Sequence, residues 1–100
     1  MFALHIRARH LPIPAREYQF DQHRKWRADF AFLSPKILVE IEGGVGGKSR
    51  HTSAKGFDDD SRKYSAAAIA GWMVLRFSTR MVKSGEAITT LEKALMCYPR

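Results

Sequence analysis

Residues 27–44, Arg-Ala-Asp-Phe-Ala-Phe-Leu-Ser-Pro-Lys-Ile-Leu-Val-Glu-Ile-Glu-Gly-Gly, read as two strands joined by a turn at Ser34-Pro35. In the first, Trp26, Ala28, Phe30 and Phe32 alternate with Arg27, Asp29 and Ala31, while the second, Ile37 to Ile41, is rich in β-branched residues and stops at the glycines. Three carboxylates interrupt the apolar pattern: Asp29 in the first strand, Glu40 and Glu42 in the second. Residues two apart on a strand point the same way, so Glu40 and Glu42 share one face and Ile37, Val39 and Ile41 take the other. If Asp29 turns to the side of the glutamates, the three carboxylates converge, and their repulsion raises their pKa values unless a cation compensates. Oxygen ligands of this kind suit Mg²⁺ or Mn²⁺, which can activate water and stabilise a phosphodiester under attack. The plainer alternative is a solvated sheet face whose acids pair with arginines.

Outward from this stretch, Glu17-Tyr18-Gln19-Phe20 reads as a short strand ending in the turn Asp21-Gln22-His23-Arg24. Residues 1–15 read as a basic N-terminal arm, since Pro12 and Pro14 each push the residue before them towards extended geometry. Residues 43–56 hold five glycines (43, 44, 46, 47 and 56) with Lys48, Arg50, Lys55 and His51, and no apolar period, so a mobile surface loop is expected. After it, Phe57, Tyr64, Ala67, Ala68 and Trp72 fall near helical spacing, with Asp58, Asp59 and Asp60 assigned to the first turn, where the helix dipole favours acids. Gly71 ends that helix and Trp72 to Phe77 reads as a buried strand. Ser78 or Thr79 then caps a last segment whose stripe is Ala87, Ile88, Leu91, Ala94 and Leu95. The order β-β-β-α-β-α predicts an α/β fold. It is a mixed sheet of about four strands, an antiparallel meander followed by a crossover to a parallel strand, with helices packed on the sheet. Trp26, Trp72 and Phe77 are assigned to the core, and Arg76 is expected to turn towards the acidic face.

At 100 residues and 45% hydrophobic content the chain suits one domain, 1–100. Seventeen Lys and Arg against ten Asp and Glu give a net charge of +7, which favours a polyanionic partner, nucleic acid ahead of an anionic membrane. No apolar run approaches the roughly 20 residues that cross a bilayer, and Met1 to Leu4 runs at once into His5, Arg7 and Arg9 without an export core, so an intracellular protein is expected. The one cysteine, Cys97, offers neither an internal disulfide nor a zinc ribbon.

Asp29 with Glu40-Ile41-Glu42 resembles the PD-(D/E)XK nuclease pattern, an Asp and an acid-x-Lys triplet on adjacent strands. The run from Arg27 to Phe77 is similar, more specifically, to the very-short-patch-repair-like and DUF559-type endonuclease branch, including small phage-encoded members. The residues that carry this are Asp29-Phe30, Glu40-Ile41-Glu42-Gly43, His51, Asp60-Ser61-Arg62-Lys63 and Gly71-Trp72-Met73-Val74-Leu75-Arg76-Phe77. The resemblance implies a restriction-endonuclease-like fold and Mg²⁺-dependent hydrolysis of DNA, with branched or mismatched DNA as candidate substrate. It implies Asp29 and Glu40 as metal ligands and Glu42 as a third acidic member of the site. It implies His51 as a proton-transfer or phosphate-contacting group. The chain departs from the pattern in two places. Glu42 stands where the triplet has Lys, so a cation or base must come from Lys48, His51 or Lys63. The segment before the first strand is too short for a long helix bearing a metal-proximal Glu, and whether Glu17 stands in for it is open. Lys63 is also one helical turn from Asp60, the spacing of an ordinary ion pair. Arg24, Lys25, Arg27, Lys48 and Arg50 are the expected DNA contacts, and a homodimer is a further candidate assembly. Two rival readings are a DNA-binding module that keeps the fold without turnover and an accessory protein that binds a protein partner.

Overall fold

The computed structural model describes residues 1–43 and 54–97. The β-branched and aromatic stretches become strands β1 (Ala15–Gln19), β2 (Arg27–Phe32), β3 (Ile37–Glu42) and β4 (Met73–Ser78), arranged in the order β1-β2-β3-β4. The first three are antiparallel neighbours. β4 pairs parallel to β3, in register from Ile37↔Met73 to Glu42↔Ser78, as expected where the helix α2 (Ala54–Ile69) crosses between them. The fold is therefore the α/β arrangement expected, with a four-stranded mixed sheet and helices on it.

The two faces of the sheet bury different kinds of side chain. Ile37, Val39, Phe30, Phe32 and Phe77 form one core with Phe2 and Ile6 of helix α1 (Phe2–Ala8), Val82 of α3 (Thr79–Ser84), and Ala87, Ile88 and Leu91 of α4 (Glu86–Cys97). On the other face only Ala28, Ala31 and Leu38 are buried against Ala67 of α2, edged by Tyr18, Phe20, Trp72 and Val74. Gly71, at φ +93°, turns the chain from α2 into β4, and Lys36 Nζ donates to the carbonyl of Ala70 at 2.6 Å, tying the helix end to the β2–β3 turn. Ser78 caps α3 by accepting the Met81 N–H at 3.2 Å.

Several expectations are corrected. Residues 2–8 are not part of an arm but a helix. Phe2 and Ile6, one turn apart, reach the core ahead of the prolines, and Arg9 pairs with Glu92 of α4 at 2.5 Å. Residues 54–56 are not loop but the first turn of α2, with Gly56 buried, so Asp58, Asp59 and Asp60 lie in its second turn. Phe57 is exposed rather than part of the apolar stripe. The last segment is two helices, because Gly85 at φ +91° breaks it. Trp26 belongs to neither core and stands half-buried beside the β1–β2 turn. The remainder of the glycine stretch, 44–53, lies outside the described residues.

Phe2 gives the α1 correction a test. Its ring is 4% exposed, meets Phe30 edge-on at 5.3 Å and lies 6.0 Å from Phe77. Phe2→Ala is expected to cost about 3–5 kcal/mol in urea unfolding, the range for emptying an aromatic core position. A residue on a solvated arm would cost almost nothing.

Candidate active site

The site begins with an irregularity in the sheet. Ala15 and Tyr18 of β1 both pack on the α2 side, three residues apart instead of two, and Glu17 between them has φ +50°, a left-handed value rare outside glycine. β2 answers in kind. Ala28 and Ala31 lie on the α2 side, Phe30 and Phe32 on the other, while Arg16↔Phe30 and Tyr18↔Ala28 remain paired. The alternation expected from Trp26 to Phe32 is thus broken between Ala28 and Phe30, and both strands change sides together around Asp29.

Pairing of β2 with β3 ends at Phe30↔Val39. Beyond it, Asp29 Oδ2 accepts the Ile41 N–H at 2.7 Å, so a carboxylate stands where a regular ladder would supply a main-chain carbonyl. Asp29 also lines a cleft of about 360 Å³ with Glu17, Arg16 and Lys83 above a floor of Phe2, Phe30 and Ile41.

Glu40 and Glu42 share the α2 face, as strand geometry requires, but meet different partners. Lys63 Nζ lies 2.7 Å from Glu40 Oε2, with both side chains close to nine-tenths buried. That approach supplies charge without good hydrogen-bond direction. Among the described residues Oε2 has no hydrogen-bond donor of proper geometry. Tyr64 donates to Glu40 Oε1 over 3.4 Å, a long and weak bond. Burial raises the Glu40 pKa above its ordinary value. Lys63 and Tyr64 oppose this without cancelling it, and the nearby Asp29 charge adds to the rise. Glu42 is instead taken by Arg76. Nε donates to Oε2 at 2.7 Å, Nη2 reaches the same oxygen, and the guanidinium lies 4.5 Å over the Tyr64 ring. Burial and the Glu40 carboxylate push the Tyr64 phenol well above its usual value, which keeps it a protonated donor.

Lys63 is therefore brought to Glu40 where β2 and β3 part, and Asp29, tied to the N–H of Ile41, the next residue along β3, is near enough for its charge to raise the Glu40 pKa. Glu42 is on the same face but engaged elsewhere. Arg24, Lys25 and Arg27 are exposed at the β1–β2 turn, and His51, Lys48 and Arg50 lie outside the described residues. Lys63 faces Glu40. Tyr64, which by spacing belongs to the helical pattern of Phe57, Ala67 and Ala68, instead reaches Glu40, and its place beside Lys63 on the helix that follows the acidic strand is the sequence signal for this.

Among the described residues no group of three or more His, Cys, Asp or Glu is arranged to hold a metal ion. Asp29 and Glu40 nevertheless supply the donor type that a hard cation takes, with the Lys63 ammonium standing at Glu40 Oε2. Both offer carboxylate oxygens, Glu40 Oε2 lacks a proper donor, and Mg²⁺ is commonly held by one or two carboxylates while keeping its waters. No helix among the described residues is long and apolar enough to cross a membrane. The chain matches no protein-family model, no curated protein and no solved structure.

Proposed function

We propose that the chain is a metal-dependent DNA endonuclease. The observation that carries this reading is the buried Glu40 carboxylate with Lys63 set on it, beside the Asp29-to-Ile41 hydrogen bond that ends the β2–β3 ladder. Asp29 and Glu40 are the residues that would hold Mg²⁺, and the bound ion would supply Lewis-acid stabilisation of phosphate charge and a more acidic attacking water. The chain's own residues do the rest. The Ile41 N–H fixes the direction of Asp29, Tyr64 and Lys63 bracket the two oxygens of Glu40, and the Lys63 ammonium brings a cation from the helix where the strand carries Glu42. The net charge of +7 supports a polyanionic substrate.

Cleavage of branched, nicked, mismatched and linear DNA, with Mg²⁺ and with EDTA, tests the proposal. Magnesium-dependent products on at least one substrate are expected, and none on any would reject it. The engagement of Glu42 by Arg76 favours a second reading, a module that binds DNA without turnover. Glu42→Lys separates the two. Set against Arg76 it introduces like charges, so the nuclease reading expects a severalfold slower enzyme, whereas a gain at saturating Mg²⁺ would support a decayed site.

A further inference from the structure

The turn between β1 and β2 is built more firmly than a connection requires. Asp21 Oδ1 accepts the N–H groups of His23 at 2.8 Å and Arg24 at 3.2 Å, and Gln19 Nε2 donates to the carbonyls of Asp21 at 3.1 Å and Arg24 at 3.0 Å. The turn's one acid is thereby turned inward on its own amides, while Arg24, Lys25 and Arg27 stay exposed. Phe20 and Trp26 flank the turn with nearly parallel rings, 21° apart and 6.4 Å between centroids, and the Arg24 guanidinium covers Trp26 at 4.9 Å. Trp26 contributes to neither core.

We propose that this turn is a stacking platform for an unpaired base of the DNA substrate, with Trp26 as the platform and Arg24 as its exchangeable cover. The inference rests on the nuclease reading for the fate of the strand and deepens it by naming the substrate class, DNA with a single-stranded or displaced segment. An exposed cation over an indole is a weak contact, weaker than a nucleobase stacked on the same ring. A base can therefore displace Arg24, and the released guanidinium gains a phosphate as partner. Paired bases in a continuous duplex keep their faces covered by their neighbours, so the platform selects unpaired ones. Trp26 lies three residues from Asp29, ~10 Å along an extended strand, so a short single-stranded segment reaches both.

Binding is measured in EDTA by tryptophan fluorescence, in a Trp72→Phe background that leaves Trp26 as the reporter. The probes are a short oligothymidylate, an abasic oligomer of equal length and charge, and the blunt duplex. Oligothymidylate should quench Trp26 and bind roughly tenfold tighter than the abasic strand, and the duplex should show no such gain. Trp26→Ala, compared by anisotropy of labelled strands, should erase the preference and leave abasic affinity unchanged, while Trp26→Phe should keep most of it. Arg24→Ala, which leaves the indole in place, should weaken both strands alike and keep the preference, so the claim does not hang on one variant's folding. Equal affinity for the two strands, or a preference that survives Trp26→Ala, overturns the platform. Because no metal is present, that failure is distinct from failure of the nuclease reading, which shows as absent cleavage with Mg²⁺.

Discussion

Asp29→Asn is expected to fold like the wild type and to lose cleavage by roughly 10²–10³-fold, whereas Asp29→Ala should lose both cleavage and stability. The difference follows from two jobs done by one side chain. Its Oδ2 accepts the partly buried Ile41 N–H, and an asparagine carbonyl can still do so. Alanine leaves that N–H without an acceptor, a cost of about 1–3 kcal/mol. The charge is a separate matter. Neither variant offers an anionic oxygen beside Glu40, and several kcal/mol of metal-derived transition-state stabilisation corresponds to the stated loss of rate. Urea unfolding of both variants and initial cleavage rates across a range of Mg²⁺ concentrations measure the two effects separately. If Asn cleaves as fast as the wild type, Asp29 is a structural acceptor and nothing more. If Asn is as unstable as Ala, the hydrogen bond to β3 is not what the carboxylate contributes.

The parts of this molecule that could be read from sequence are those where local pattern and tertiary packing ask for the same thing. Ile37, Val39 and Ile41 alternate with Leu38, Glu40 and Glu42, and the sheet separates them so, because β3 is central and regular on its β4 side. Gly71 and Ser78 act where they stand, since a left-handed turn and a helix cap are local requirements. Helix α1 was hidden because its warrant is tertiary. Phe2 and Ile6 amount to a helical signal only once there is a Phe30 and a Phe77 to meet them, and a seven-residue helix has little stability alone. The change of side at Glu17 and Asp29 was hidden for a similar reason. Nothing in Arg16-Glu17-Tyr18 announces a positive φ, and the carboxylate that ends the β2–β3 ladder looks, in sequence, like any polar residue on a strand. The acidic triad was legible as a set of residues. Its division into a Glu40 paired with Lys63, a Glu42 held by Arg76 and an Asp29 tied to the Ile41 N–H depends on α2 and β4, whose side chains reach the glutamates from more than twenty residues away.

Glu40 should prove a residue that costs the fold stability for the sake of the site. Burial is the largest influence on it and raises its pKa, with Asp29 adding and Lys63 and Tyr64 only partly compensating. A carboxyl whose folded-state pKa is raised holds its proton more tightly folded than unfolded. The stability this gives is fully present below the unfolded value of about 4.5 and is lost as pH rises through the folded one. Glu40→Gln removes that pH-dependent loss. It should melt higher than the wild type at pH 7, with the gap closing in acid, while under the proposed function cleavage falls by roughly 10²-fold or more with the loss of a carboxylate proposed to hold Mg²⁺. The opposing cost, a Lys63 left without its counter-charge, is small by comparison. A four-carbon stem on a helix can swing its ammonium to water, and a strand-anchored carboxylate cannot follow. Lys63→Met should therefore do the reverse. It strands the Glu40 charge beside Asp29, a penalty on the order of 3 kcal/mol at neutral pH that fades as Glu40 takes up its proton. Thermal melts of the three proteins between pH 4 and pH 8 should diverge in opposite directions from the wild-type curve as pH rises. Parallel curves for Glu40→Gln and the wild type would mean that burial does not tax the Glu40 charge. A Lys63→Met protein equally impaired at both ends of the range would mean that Lys63 supports the helix and not the carboxylate.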